Sequence, residues 1–180
     1  MKGFNMINKT FRKWLVKAGL IITMLSLITG ATSCTGTGPQ VGKQTPDFTL
    51  VTMAGTEITL SELRGTPVVL NFWAIYCNPC RSELGYFEHA AEQTAGEVTI
   101  IAVNIAEPRS QIEQFFGDYK LHFTVALDGG TQVSQKYNVK YIPTTFFIDS
   151  GGIIRNIKIG AFTSEMELWA DIETIRGPTP

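Results

Sequence analysis

Apolar and polar positions along the chain predict most of its elements. Asp47–Thr52 alternates as a short strand, Ala54-Gly55 offers a turn, and Ile58–Leu60 reads as the return, so the domain is expected to open on a β-hairpin. Ser61–Gly65 reads as a helical turn closed by glycine. Pro67–Phe72, PVVLNF, is an apolar run of the kind that fills a buried central strand. A helix is expected from about Cys77 to Ala95, with Gly96 as its stop. Its buried face is marked by Cys80, Leu84, Phe87 and Ala91, which recur at four, three and four residues. Val98–Val103 predicts a second buried strand, and Pro108–Tyr119 a helix with proline in its first turn. Val125–Asp128 reads as a short strand and Thr131–Tyr137 as a short helix. Thr144–Asp149 is a strand that Gly151-Gly152 turns into Ile153–Ile159. Ser164 and Glu167 form a capping box for a last helix reaching about Ile175. Strands alternating with helices, then a terminal hairpin and helix, predict a mixed α/β sandwich.

The first 33 residues break this pattern. Lys2, Lys9, Arg12, Lys13 and Lys17 precede an uncharged run of 14 residues, Ala18–Ala31, and no acid comes before Asp47. A permanent membrane span needs roughly 20 apolar residues, so a basic segment with this short apolar core reads as a secretory signal. Ala31-Thr32-Ser33-Cys34 is similar to a bacterial lipobox, with Ala31 where an aliphatic residue such as leucine is usual. Residues 1–33 are therefore expected to be a lipoprotein-type signal peptide and Cys34 the lipidated residue. An uncleaved signal anchor, or an incidental cysteine in a discarded peptide, are the alternatives. Residues 34–44 are rich in Gly, Thr and Pro and read as a flexible tether, and 45–180 as the domain.

Length and charge narrow the class. A chain of 180 residues supports one well-filled core. With five of its 15 Lys and Arg in the leader, the rest carries 10 basic against 16 acidic residues. A mildly acidic domain without a basic patch argues against nucleic acid as a partner.

Three cysteines are an odd number for an exported protein; a lipidated Cys34 leaves Cys77 and Cys80 as one pair. Zinc uses C-x-x-C too, but it wants four ligands, and His89 and His122 are not at finger spacing. A structural disulfide closing so small a loop would remove little unfolded-state entropy. Redox chemistry fits the placement better. Cys77 stands where a strand ends and a helix begins, where unpaired N–H groups and the positive helix end stabilise a thiolate. Cys80 lies one turn in, shielded on the apolar face, and would resolve a mixed disulfide from within the molecule. Pro79 suits the first helical turn.

The segments FWAIYCNPCRSE, YIPTTFFID and VGKQTPDFTL…LSELRGTPVVLNFWA together resemble the TlpA/ResA/DsbE-like branch of the thioredoxin superfamily, over about Val41 to Ile175. The resemblance implies a thioredoxin-like three-layer α/β sandwich with an N-terminal β-hairpin and a central helical insert. It implies a membrane-tethered, extracytoplasmic thiol–disulfide oxidoreductase on the outer face of a bacterial membrane, a reductant of protein disulfides such as those of apocytochrome c, with a general exported disulfide reductase or isomerase as the alternative. A membrane electron donor follows from the same resemblance; a monomer is expected, with no metal and no cofactor beyond the Cys77–Cys80 disulfide. Pro143 matches a cis-proline beside the cysteines. A cis Ile142–Pro143 bond would offer the Ile142 backbone to a substrate strand, with a plain turn proline as the alternative. Trp73, Asn78 and Pro79 join Ile142 and Pro143 as candidate substrate contacts; Trp73 has a core-filling alternative.

Two acids enter the same way. Glu83 matches a family glutamate and is a candidate acid–base partner of the dithiol; otherwise it is a solvated helix residue. Glu107 matches a second acidic position near the site in some relatives and is a possible acid–base group, or is simply an acid favoured at a helix start. Plain thioredoxins carry Asp where this chain has Asn71, and the branch often has Trp where it has Tyr76. An exported peroxiredoxin is the rival enzyme, but Ala74 stands where that family places the threonine that positions peroxide. A copper module would pair C-x-x-x-C with His, a spacing this chain lacks.

Overall fold

The computed structural model describes residues 38–176. The signal segment and Cys34 lie outside the described residues. Among those that are described, no helix is long and apolar enough to cross a membrane.

Strands β1 (Thr49–Val51) and β2 (Glu57–Thr59) form the expected hairpin, with Thr49 opposite Thr59. A 3-10 turn follows at Leu60–Leu63. Next come β3 (Val68–Trp73), α1 (Asn78–Thr94), β4 (Thr99–Ile105), α2 (Arg109–Phe116), β5 (Thr124–Asp128) and α3 (Gln132–Lys136). The chain closes with β6 (Thr144–Ile148), β7 (Ile154–Ile159) and α4 (Glu165–Arg176). The central sheet has the order β5-β4-β3-β6-β7, with β3, β4 and β5 parallel and β6 and β7 antiparallel. The pieces between β4 and β6 supply the expected helical insert, and the fold is thioredoxin-like.

Because strand side chains alternate, β3 feeds two cores. Val69 and Trp73 face α1, α2 and α4, where they meet Phe87, Ile112 and Leu168. Val68, Leu70 and Phe72 face the other way, onto Phe48, Leu60, Val133 and Tyr137. All six residues of β3 are buried, as a run covered on both faces must be. The hairpin shields the β5 edge: the Met53 N–H donates to the Val125 carbonyl at 2.8 Å.

Four boundaries differ from expectation for physical reasons. Helix α1 stops one residue before Ala95, which itself takes the left-handed cap at φ 45° ahead of Gly96. Helix α2 ends at Phe116, short of Tyr119, because Gly117 turns the chain and donates to the Glu113 carbonyl at 2.8 Å. Pro108 is the N-cap of α2 and precedes its first turn. The stretch before residue 45 is partly docked: the Gly42 N–H reaches the Ile154 carbonyl at 2.8 Å, and the Ile154 N–H reaches Lys43 at 3.0 Å. The ordered domain thus begins ahead of Thr45, since β7 offers these residues a backbone ladder.

Candidate redox site

Helix α1 starts against the carboxyl end of β3, and the turn between them carries the two cysteines. Cys77 is the N-cap of α1, with extended backbone at φ −87° and ψ 101°. Its Sγ accepts the Cys80 N–H at 3.2 Å, as a capping oxygen would. The cysteines form a disulfide with Cα atoms 5.3 Å apart. Cys80 is fully buried, whereas Cys77 keeps 8% of its surface open. A partner can therefore reach Cys77 and not Cys80. Pro79 and Asn78 are exposed in the first turn, beside the open sulfur.

The Ile142–Pro143 bond is cis. It brings the Ile142 carbonyl oxygen to 3.7 Å from Cys77 Sγ. Ile142 is half-buried and Pro143 buried, while the neighbouring Tyr141 is exposed. Sequence positions 65 apart thus meet at the sulfur, and Tyr76, next to Cys77 in the chain, is exposed.

Glu83 does not point to water. It is fully buried, one helical turn beyond Cys80. Its Oε1 accepts from Asn71 Nδ2 at 3.1 Å and its Oε2 from the Phe162 N–H at 3.0 Å. Burial pushes its carboxyl up to about 7, against the opposing pull of the Phe162 and Asn71 hydrogen bonds. Its proton therefore exchanges in the neutral range, which suits a group that passes protons to and from thiols. Asn71 also donates to Thr145 Oγ1 at 2.9 Å, while its Oδ1 has no partner among the described residues.

Glu107 stands beside the redox turn, the position near the site that the family match implies. It does not cap its own helix, and its oxygens are engaged across the site. The Ile75 N–H donates to Oε1 and Oε2 at 3.0 and 2.8 Å, and Asn104 Nδ2 donates to Oε2 at 2.6 Å. Arg81 Nη1 donates to the Ile75 carbonyl at 3.0 Å. Both ends of Ile75 are thus held by charged side chains, which fixes the turn leading into Cys77. Arg81 had no sequence signal for this role beyond its position next to Cys80.

Trp73 is also corrected as a substrate contact. It is fully buried, with its ring 5.7 Å from those of both Phe115 and Phe116. A substrate cannot touch it without opening the core, so Trp73 supports the redox turn from beneath. Ala74, likewise fully buried, presents only a methyl group at the site of a peroxidase threonine.

Comparison with known proteins matches this geometry. Residues 41–157 match the AhpC/TSA family. The chain is 35% identical over 171 residues to the thioredoxin-like protein YneN of Bacillus subtilis strain 168, covering 90% of this chain and 99% of that one. It is 34% identical over 175 residues to the thiol-disulfide oxidoreductase ResA of Geobacillus kaustophilus, covering 93% and 99%. A solved structure assigned as the thiol:disulfide interchange protein DsbE of Chlorobium tepidum superposes with a TM-score of 0.72 at 30% identity, over 78% of this chain and all of that one.

Proposed function

Since the chain belongs to the AhpC/TSA family, as a thiol–disulfide oxidoreductase of the ResA type, we propose that it works outside the cytoplasm as a reductant of protein disulfides. The observation that carries this reading is the asymmetry of the pair. Cys77 is an N-cap sulfur with an amide aimed at it and an open side, and Cys80 is sealed in the core one helical turn before Glu83.

The reaction runs from the dithiol form. The Cys77 thiolate, stabilised by the Cys80 N–H and the helix start, attacks one sulfur of the substrate disulfide. A Cys77–substrate bond forms and the other substrate sulfur leaves as a thiolate, which takes a proton. Glu83 accepts the proton of Cys80, whose thiolate then attacks Cys77 Sγ. The Cys77–Cys80 bond forms, the second substrate thiolate leaves, and two electrons have passed to the substrate. The Ile142 backbone, Asn78 and Pro79 frame the substrate segment at Cys77. Unfolded apocytochrome c is the substrate this reading favours, with a thiol-bearing membrane protein as the electron donor and a general exported disulfide reductase as the broader alternative. Lipidation at Cys34 would tether a monomer to the outer face of the membrane.

The AhpC/TSA match also raises a peroxidase reading, but the buried Ala74 supplies no hydroxyl for peroxide. The deciding measurement is the reduction potential of the Cys77–Cys80 couple. A value at or below about −250 mV supports the reductant, and one near −120 mV would mark an oxidant.

A further inference from the structure

Glu83 takes one of its two hydrogen bonds from a loop with no chemistry of its own. Loop 160–164 joins β7 to α4, and its Phe162 N–H donates to Glu83 Oε2 at 3.0 Å. A loop lacks the ladder that fixes a strand, so this N–H must be held by other means. At the loop entry, the Gly160 N–H donates to the Pro143 carbonyl at 2.8 Å, with Gly160 at φ 92°. In the middle, the buried Phe162 ring packs edge-on against Phe87 and Phe147, at 5.9 and 6.2 Å. At the exit stands one carboxylate. Glu167 Oε2 accepts both the Thr163 N–H at 2.8 Å and Thr163 Oγ1 at 3.0 Å. Its Oε1 pairs with Lys158 of β7, and Lys158 Nζ lies 5.6 Å over the Phe162 ring.

Half of the expected capping box forms. The Glu167 N–H does donate to Ser164 Oγ at 3.3 Å, but its carboxylate bypasses Ser164 and binds Thr163. We propose that Glu167, held by Lys158, is a positioning residue for Glu83: it clamps loop 160–164 so that the Phe162 N–H stays on the Glu83 carboxylate. Its bearing on the dithiol chemistry rests on the reading of Glu83 as the acid–base partner.

The clamp and the bare charge of Glu167 act on Glu83 with opposite signs. A hydrogen bond from the Phe162 N–H favours ionised Glu83, so releasing the loop raises its pKa. The negative charge of Glu167 disfavours ionised Glu83, so removing that charge alone lowers the pKa. The other groups facing Glu83 are few. Lys158 of β7 favours the ionised form, Asn71 of β3 is neutral, Thr145 of β6 reaches it only through Asn71, and Cys80 lies one turn back on α1.

The test compares Glu167→Ala with Glu167→Gln in the full chain, reduced and held in detergent. The Glu83 carboxyl carbon is followed by NMR, and Cys77 alkylation by its rate, across about pH 4 to 9. Both variants lose the charge and only the alanine loses the clamp, so the Glu83 titration in Glu167→Ala should lie above that in Glu167→Gln by about half to one pH unit, the scale of one lost hydrogen bond. Glu167→Gln keeps an oxygen for Thr163 and loses the charge, so its Glu83 titration should stay at or fall below that of the wild type. Equal titrations in the two variants, or a lower one in Glu167→Ala than in Glu167→Gln, would overturn the clamp. If the carbon titration lies higher in Glu167→Ala than in Glu167→Gln while alkylation does not follow, the clamp stands and the acid–base reading of Glu83 falls.

Discussion

Asn71 and Glu83 face each other across the floor of the redox turn, with Asn71 Nδ2 donating to Glu83 Oε1 at 3.1 Å. Neither residue reaches solvent. An amide cannot titrate, so of this pair only Glu83 can carry a proton.

Replacing Glu83 by Gln tests that role and has a signed effect on stability. Folding raises the carboxyl from 4.5 to about 7, so the folded protein holds this proton more tightly than the unfolded chain. Stability from Glu83 is therefore full below about pH 4.5 and is lost as pH rises through about 7. Glu83→Gln never ionises, and a turn of the Asn71 amide would give its unpaired Oδ1 a donor. The variant should gain on the wild type between pH 4 and 8, by on the order of 2–3 kcal/mol in denaturant unfolding. The same variant should lose the neutral-range step in the pH profile of thiol alkylation and release mixed disulfides more slowly. A stability difference independent of pH would show that the Glu83 carboxyl titrates alike in the folded and unfolded chain.

Cys77→Ser should abolish reduction of insulin disulfides, and Cys80→Ser should accumulate a mixed disulfide on Cys77. The motivation is the difference in burial: 8% exposed for Cys77 against none for Cys80. Faster alkylation of Cys80 than of Cys77 in the reduced protein would reverse the assignment.

Glu107→Ala removes the acceptor of the Ile75 N–H and should cost about 1–3 kcal/mol if that amide stays shielded. Glu107→Gln keeps one acceptor oxygen and should recover most of the loss. Turnover should fall in Glu107→Ala, because the turn before Cys77 loosens. If the alanine variant unfolds at the same denaturant concentration as the wild type, the brace is not needed.

Trp73 should behave as core. Trp73→Ala is expected to lower stability by about 3–5 kcal/mol, and Trp73→Phe to keep the KM for a peptide disulfide while losing less. A raised KM in a fully folded Trp73→Phe would return the residue to the substrate surface.

Cys34→Ala should shift the full-length protein from the membrane fraction or leave its leader uncleaved. Mass spectrometry should find a mature N-terminus at Cys34. Any other first residue removes the lipid anchor and leaves export untouched.

The residues themselves determined the elements and the redox pair, because both depend on local rules. The run PVVLNF could only be buried on both faces, and Cys77 and Cys80 occupy a helix start at a spacing that fixes one sulfur at the cap and the other one turn inside. The resemblance to a family added Pro143 and Glu83 as candidates. Tertiary structure decided what those candidates touch, since the contacts span long stretches of chain: Ile142 reaches Cys77 from 65 residues away, and Phe162 reaches Glu83 from 79. Whether Glu83 faces water or core depends on β3, α4 and the loop before it, none of which its own helix specifies. For Glu107 and Trp73, sequence offered two readings each. Packing decided them, because the unpaired amides of the turn at Ile75 draw in one acid and the aromatic cluster of α2 encloses the indole.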